Sequence, residues 1–183
     1  MDPTTRPGGA VVRAAVPADA AAIARVQVAS WRDAYRGIVP DAFLDGMREE
    51  EWAARRLGNL EAGGTTTLVA EEEGRIVAFA CGGAARRAPG GFDAEVYALY
   101  VLRDRRRRGL GRRLLLRLAD ALAARGAISL VLWVLRDNAP GRAFYEGLGG
   151  RVVAAKEIEI GGAALPEVAY GWADLASLRA RSG

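Results

Sequence analysis

The sequence predicts a single mixed α/β domain, and three observations carry that expectation. Short apolar or alternating runs of strand length interleave with longer stretches of helical period. Glycine-bearing turns separate them at short intervals, with no repeat and no linker. The 183 residues, 51% apolar and 26% charged, are enough for one sizeable core and too apolar for a disordered chain.

The elements follow in order. Residues 11–16 alternate weakly and read as a first strand. Pro17 and Asp19 punctuate a helix start, with Asp19 at the N-cap position, and Ile23, Val26 and Ser30/Trp31 then keep helical spacing. Gly37 and Pro40 break that helix. A short second helix is expected over 41–47, extended by 48–60 with Trp52 and Leu57 on one face and stopped by Gly63-Gly64. Residues 66–71 and 75–82 read as strands of a hairpin turning at Glu73-Gly74. A loop over 83–91 leads to a strand over 94–101. A helix is expected over 109–125, closed by Gly126, and a buried strand over 128–134. A helix over 138–148 stops at Gly149-Gly150, and two strands, 152–160 and 165–172, flank Gly161-Gly162. The expected order is β-α-α-β-β-β-α-β-α-β-β, with residues 1–10 a flexible N-terminus, 11–173 the domain and 174–183 a C-terminal tail.

Composition narrows the chemistry. No run approaches the ~18 apolar residues of a membrane span. Residues 1–9 lack a secretory apolar core, and the single cysteine, Cys81, suits a reducing cytoplasm without disulfides. With no histidine and one cysteine, neither a zinc site nor a Ser-His or Cys-His pair can be assembled, so no metal is expected. Any general base is a carboxylate, a tyrosine or a water relay.

The charge is local. Between Arg103 and Arg117 stand eight arginines and one acid, Asp104, a balance of +7 in a chain of +4 overall, so everything else sums to −3. Nucleic-acid binders usually spread their cations along an extended face with aromatics between them. A compact cluster fits one small polyanion better. Lys156 is the sole lysine, an arginine skew that suits a GC-rich genome.

Within that cluster, a strand ending Tyr97-Ala98-Leu99-Tyr100-Val101 runs into Arg106-x-x-Gly109-x-Gly111 and then a helix. Consecutive backbone N–H groups at a helix N-terminus, aided by its dipole, are suited to phosphate. The dinucleotide fingerprint fits poorly, because Gly109-x-Gly111-x-x-Leu114 lacks the third small residue.

This arrangement resembles the GNAT (Gcn5-related N-acetyltransferase) family, whose cofactor loop reads Gln/Arg-x-x-Gly-x-Gly/Ala. Two further segments carry the resemblance. Asn138-x4-Ala143-Phe144-Tyr145-Glu146-x-Leu148-Gly149 is similar to the family's last helix, and residues 30–40 are similar to the first helices of a bacterial subgroup. Arg103 and Gly150 depart from the family's usual proline and aromatic. The resemblance spans residues 11–173 and implies a mixed, mostly antiparallel sheet of about seven strands, with a splayed fourth and fifth strand and about four flanking helices.

The resemblance also implies an acetyl-CoA-dependent N-acetyltransferase acting on a primary amine by direct attack in a ternary complex. Acetyl-CoA would be held by the backbone of Arg106, Arg107, Arg108, Gly109, Leu110, Gly111 and Arg112. Leu99, Tyr100 and Val101 would meet the pantetheine, and Asn138 would cap its helix or contact CoA. Tyr145 is the implied general acid on the departing thiolate, or else a helix-face core aromatic. Glu95, fourteen positions before Gly109, matches the spacing of the general-base glutamate in the family's histone-acetyltransferase branch, or is a solvated or substrate-binding anion. Trp31 and Tyr35, one turn apart, would wall the acceptor or simply pack the core. Homodimers are frequent in the family; no nucleic-acid or membrane partner is expected. The other functional class is a non-catalytic CoA sensor or RNA-binding module on the same fold.

Overall fold

The structure, a computed structural model, describes residues 9–86 and 89–180. Its elements run β1 (Val11–Ala14), α1 (Ala20–Ala34), α2 (Asp41–Gly46), α3 (Glu49–Ala62), β2 (Thr65–Glu72), β3 (Arg75–Ala84), β4 (Ala94–Val101), α4 (Leu110–Ala123), β5 (Leu130–Leu135), α5 (Ala139–Gly147), β6 (Arg151–Ile160), β7 (Ala163–Trp172) and α6 (Leu175–Ala180). Seven strands form one sheet in the order β1-β2-β3-β4-β5-β7-β6. Every neighbouring pair is antiparallel except β4 and β5.

Two features depart from the expected layout. Six α-helices are present among the described residues where about four were expected, because the stretch after α1 breaks at Met47-Arg48 and a further helix follows β7. That last helix occupies the segment expected as a tail. Leu175 and Leu178 are buried in the main apolar cluster, and the Leu175 N–H bonds the Ile128 carbonyl at 2.9 Å. The flexible N-terminus expected over 1–10 falls almost wholly outside the described residues.

Asp19 does occupy the N-cap position of α1, but its carboxylate turns away from that helix. It accepts from Arg13 at 2.7 and 3.0 Å and from the Val16 N–H at 2.9 Å. The Arg13 guanidinium holds this carboxyl below the usual range. The hairpin at Glu73-Gly74 forms as its sequence requires, with φ of 49° and 75° at the two turn residues.

Period-two alternation divides the core by sheet face. On one face α4 lays Leu114, Leu115, Leu118 and Leu122 over Val96, Leu130, Leu132 and Tyr170. On the other, α1 and its neighbours cover Phe79, Val69 and Ala98, with a further cluster around Tyr35, Leu44 and Leu135.

The functional geometry begins at one irregularity. The β4–β5 ladder covers only Ala94–Val96 against Leu130–Leu132. Across β3, Val96 faces Gly82 and Ala98 faces Cys81, so Tyr97 is an extra residue, a β-bulge. A bulge sharpens the local twist. Beyond it β4 continues to follow β3 as far as Val101, while β5 follows β7 to Leu135, and the two strands part. The expected splay is present.

If α6 is a structural element, truncating a side chain that it buries should be felt globally. Leu178→Ala should lower the unfolding free energy by roughly 3 kcal/mol, read as a reduced urea midpoint at unchanged m-value.

Candidate active site

The segment from Val101 to α4 begins with a single 3-10 turn at Arg103–Arg105. Arg107 then takes φ 62° and Gly109 takes φ 78° at the N-cap of α4. A side chain on Gly109 would meet nothing within 4 Å, so glycine is there for its left-handed backbone and leaves the loop's outer surface open. Gly111 has a different reason: a Cβ there would come within 3.4 Å of the Phe144 ring, so its absence lets α4 seat against α5. From Arg107 to Gly111 no backbone N–H has a hydrogen-bond partner among the described residues. These are the orphan donors of a helix start, gathered where the dipole is positive.

The arginines of the cluster are not equivalent. Arg103 and Arg106 both ion-pair with Asp33 of α1, at 2.9 and 2.6 Å, and Arg106 Nε also donates to the Val101 carbonyl at 3.0 Å. Arg105 pairs with Glu72 at 2.7 Å and with Asp104. Arg107 and Arg108 are exposed and have no side-chain partner among the described residues. Two acids from distant elements, Asp33 and Glu72, therefore tie down Arg103, Arg105 and Arg106, and the cluster keeps a positive excess. Within the loop, the guanidinium groups of Arg107 and Arg108 stand with a row of N–H donors open to an anion. The Leu110 side chain is buried in the core, which leaves only its backbone to the loop.

The parted strands open a cleft of about 1050 Å³ that runs from this loop to α5. Its wall includes Val96–Val101 of β4, Trp133 of β5, Arg112 of α4, Asn138, and Phe144 and Tyr145 of α5. Between Tyr97 and Val101 β4 has no strand partner on its β5 side. A ligand threaded there would meet backbone amide groups, as the placement of Leu99, Tyr100 and Val101 requires. Asn138 caps α5, accepting from the Gly141 N–H at 3.1 Å, while remaining part of the wall. It can do both.

Tyr145 belongs to the cleft wall on α5, with ring contacts to Phe144, Tyr170 and Trp172 at 5.2, 6.0 and 6.4 Å. Its hydroxyl has no hydrogen-bond partner among the described residues. Burial pushes this phenol up, as it does those of Tyr35 and Tyr100 nearby. All three are protonated at neutral pH, and Tyr145 is a proton donor in the cleft wall.

Trp31 is the hub of an aromatic cluster with Tyr35, Phe43, Trp52 and Tyr100, at centroid distances of 5.0 to 6.5 Å. Tyr35 belongs to the cleft wall; Trp31 packs behind it, its buried indole nitrogen lacking a hydrogen-bond partner among the described residues. Glu95 lies in the last paired stretch of the fork, opposite Val131, one residue before the cleft wall begins. Its carboxylate, 12% exposed, accepts the Arg86 N–H at 2.9 Å with the Arg86 guanidinium 4.0 Å away. To act on a substrate in the cleft, it would have to exchange Arg86 for that substrate or work through water.

Residues 28–149 match the sequence profile of the Acetyltransferase (GNAT) family. The chain belongs to the GNAT family. It is an acyltransferase, in keeping with its curated relatives. One of these is YuaI of Bacillus subtilis (strain 168), an uncharacterized N-acetyltransferase. The two are 36% identical over 172 residues, 92% of this chain and 95% of the relative. Among solved structures, YncA of Salmonella typhimurium, a putative acetyltransferase with its cofactor acetyl-CoA, superposes at TM-score 0.69 and 25% identity, covering 91% of this chain and 94% of that one. PaiA N-acetyltransferase from Thermoplasma acidophilum, in complex with coenzyme A, shares the fold at TM-score 0.67 and 20% identity, covering 86% and 97%.

The GNAT acyltransferase contains site features that its motifs do not announce. Asp33 ties α1 to the phosphate-type loop through two arginines, yet in the sequence it is one acid among many on an amphipathic helix. Tyr97 and Trp133 enter the cleft wall because of the bulge and the fork, neither of which leaves a residue signature. Since Arg107 and Arg108 lack partners, the double variant Arg107→Ala/Arg108→Ala should unfold in urea within ~0.5 kcal/mol of the parent. Asp33→Ala, which strands two guanidinium groups, should cost more.

Proposed function

We propose that this GNAT protein transfers the acetyl group of acetyl-CoA to a primary amine by direct attack in a ternary complex. The observation that carries the reading is the cleft itself. It brings an unpartnered row of N–H donors, with Arg107 and Arg108 beside it, into one cavity with Tyr145, whose hydroxyl has no hydrogen-bond partner among the described residues. The acetyl-CoA and coenzyme A named for the two solved neighbours support the same ligand here.

In this reading the loop from Arg106 to Arg112 holds the pyrophosphate, with glycine at position 109 admitting it closely. The free edge of β4 at Leu99–Val101 meets the pantetheine amides. The neutral amine attacks the thioester carbonyl, the C–N bond forms and the C–S bond breaks. The amine's proton leaves to Glu95 or to water, and Tyr145 delivers its proton to the departing sulfur. An ordinary amine, with a pKa near 10.4, is mostly protonated at neutral pH, so its deprotonation limits the reactive fraction.

The pH dependence has a definite sign. The raised pKa of Tyr145 keeps the donor protonated through the neutral and mildly alkaline range. Turnover should therefore rise with pH as the amine loses its proton, with no decline traceable to Tyr145 below about pH 10.

Calorimetry with acetyl-CoA should give saturable binding by the wild type and none by Gly109→Glu, which sets a carboxylate into the open space at a positive φ. Absence of wild-type binding would remove the acetyltransferase reading. Tyr145→Phe should lower kcat by about 10- to 100-fold with acetyl-CoA affinity unchanged. Glu95→Gln should also lower kcat and spare that affinity; an unaltered rate for either variant removes its assigned role.

A further inference from the structure

Trp133 sits on a central strand, yet its ring joins none of the three apolar clusters among the described residues. One face of the ring instead carries the Lys156 ammonium, 3.9 Å from the centroid. The same Nζ lies 3.7 Å from Glu167 Oε2. Lys156 on β6 and Leu135 on β5 are the cross-strand partners of Glu167 on β7, so three strands converge on this point. Period two puts Trp133 on the sheet face of Leu135, the α1 side. Glu95, between the inward-facing Ala94 and Val96 of the α4 side, shares that face.

The opposite prong of the fork repeats the arrangement. Tyr97 carries the Arg86 guanidinium 3.5 Å from its ring centroid, and Arg86 is 4.0 Å from Glu95. Both aromatics belong to the cleft wall. The protein thus covers each with a cation of its own, each backed by a carboxylate. Glu95 is 12% exposed against 64% for Arg86, and Glu167 is 13% exposed against 44% for Lys156. Burial pushes the Glu167 carboxyl up in spite of the lysine, and Glu95 adds to that. A single flexible ammonium, half in water, under-compensates the site. A better-seated cation would bind with gain, since the attraction of a cation to a tryptophan face grows as the pair is desolvated.

We propose that Trp133 and Glu167 form a cation subsite of the acceptor site, which holds the charged, non-reacting end of a short aliphatic diamine and releases Lys156 when occupied. This inference rests on the acetyltransferase reading given above. The ammonium in the subsite cannot be the one acylated, because Glu167 favours its protonated form. The acceptor therefore needs a second nitrogen, free to lose its proton and reach the thioester near Tyr145.

The test is CoA release with diaminobutane and with butylamine as separate acceptors. In the wild type, kcat/KM for the diamine should exceed that for butylamine by about tenfold. Glu167→Gln should raise the diamine KM by about tenfold at near-constant kcat and leave butylamine within about twofold. Trp133→Leu should act in the same direction, and Lys156→Met, which uncovers the ring, should lower the diamine KM. Equal kcat/KM for the two amines, or a diamine preference that survives Glu167→Gln, overturns the subsite. Calorimetric titration of diaminobutane without acetyl-CoA separates the two levels. Glu167-dependent diamine binding by a protein that fails to bind acetyl-CoA would retain the subsite and sink the transferase reading. Acetyl-CoA binding with no diamine bound or acetylated would do the reverse.

Discussion

The bulge at Tyr97 is the constraint on which the site depends. β4 and β5 are parallel neighbours for three residues and then follow different partners, β3 on one side and β7 on the other. The apolar layer under α4 spans both half-sheets and a second layer packs β2–β4 against α1, so neither strand can turn back to close the gap without giving up burial that stabilises the domain. A strand edge left unpaired in a core would ordinarily be a liability, since buried N–H and C=O groups need partners. Here the unpaired stretch lines a cleft instead, and a ligand with amide groups can complete the ladder. The defect in the sheet is what opens the cleft.

Electrostatics then sort the two ends of the cleft. At the loop, the helix dipole and five orphan N–H groups lie beside Arg107 and Arg108, while Asp33, Glu72 and Asp104 tie down Arg103, Arg105 and Arg106 and brace the loop against α1 and β2. An ion pair that is half exposed adds little stability by itself. Its effect here is positional: Asp33 joins two arginines on either side of the turn and so limits how the loop can move. At the other end the phenols of Tyr35, Tyr100 and Tyr145 stay protonated because charge is expensive to bury. One end therefore favours an anion and the other holds a neutral acid.

The fold was legible in the sequence to a large degree, and the misses have specific causes. Strand and helix positions followed from period and turn chemistry, as at Glu73-Gly74, where two adjacent positive φ values need no tertiary support. Residues 174–183 read as a tail because a helix with only two buried leucines, Leu175 and Leu178, has too little pattern to detect. Asp19 read as a cap because N-cap preference is local, whereas Arg13 competes for it from a preceding strand.

What the sequence alone determined is set by neighbours along the chain. The loop Arg106–Gly111, the glycine at its αL turn, the helix that follows and the Asn138 cap are each set by residues only a few positions apart. What only the tertiary structure decided depends on register between strands far apart in sequence. The fork, the distinction between tied and free arginines, the engagement of Glu95 with Arg86, and the meeting of Trp133, Lys156 and Glu167 all belong there. A charge or a ring has no fixed role until packing decides what faces it. Burial and pairing across a sheet are long-range quantities, and no local pattern of residues encodes them.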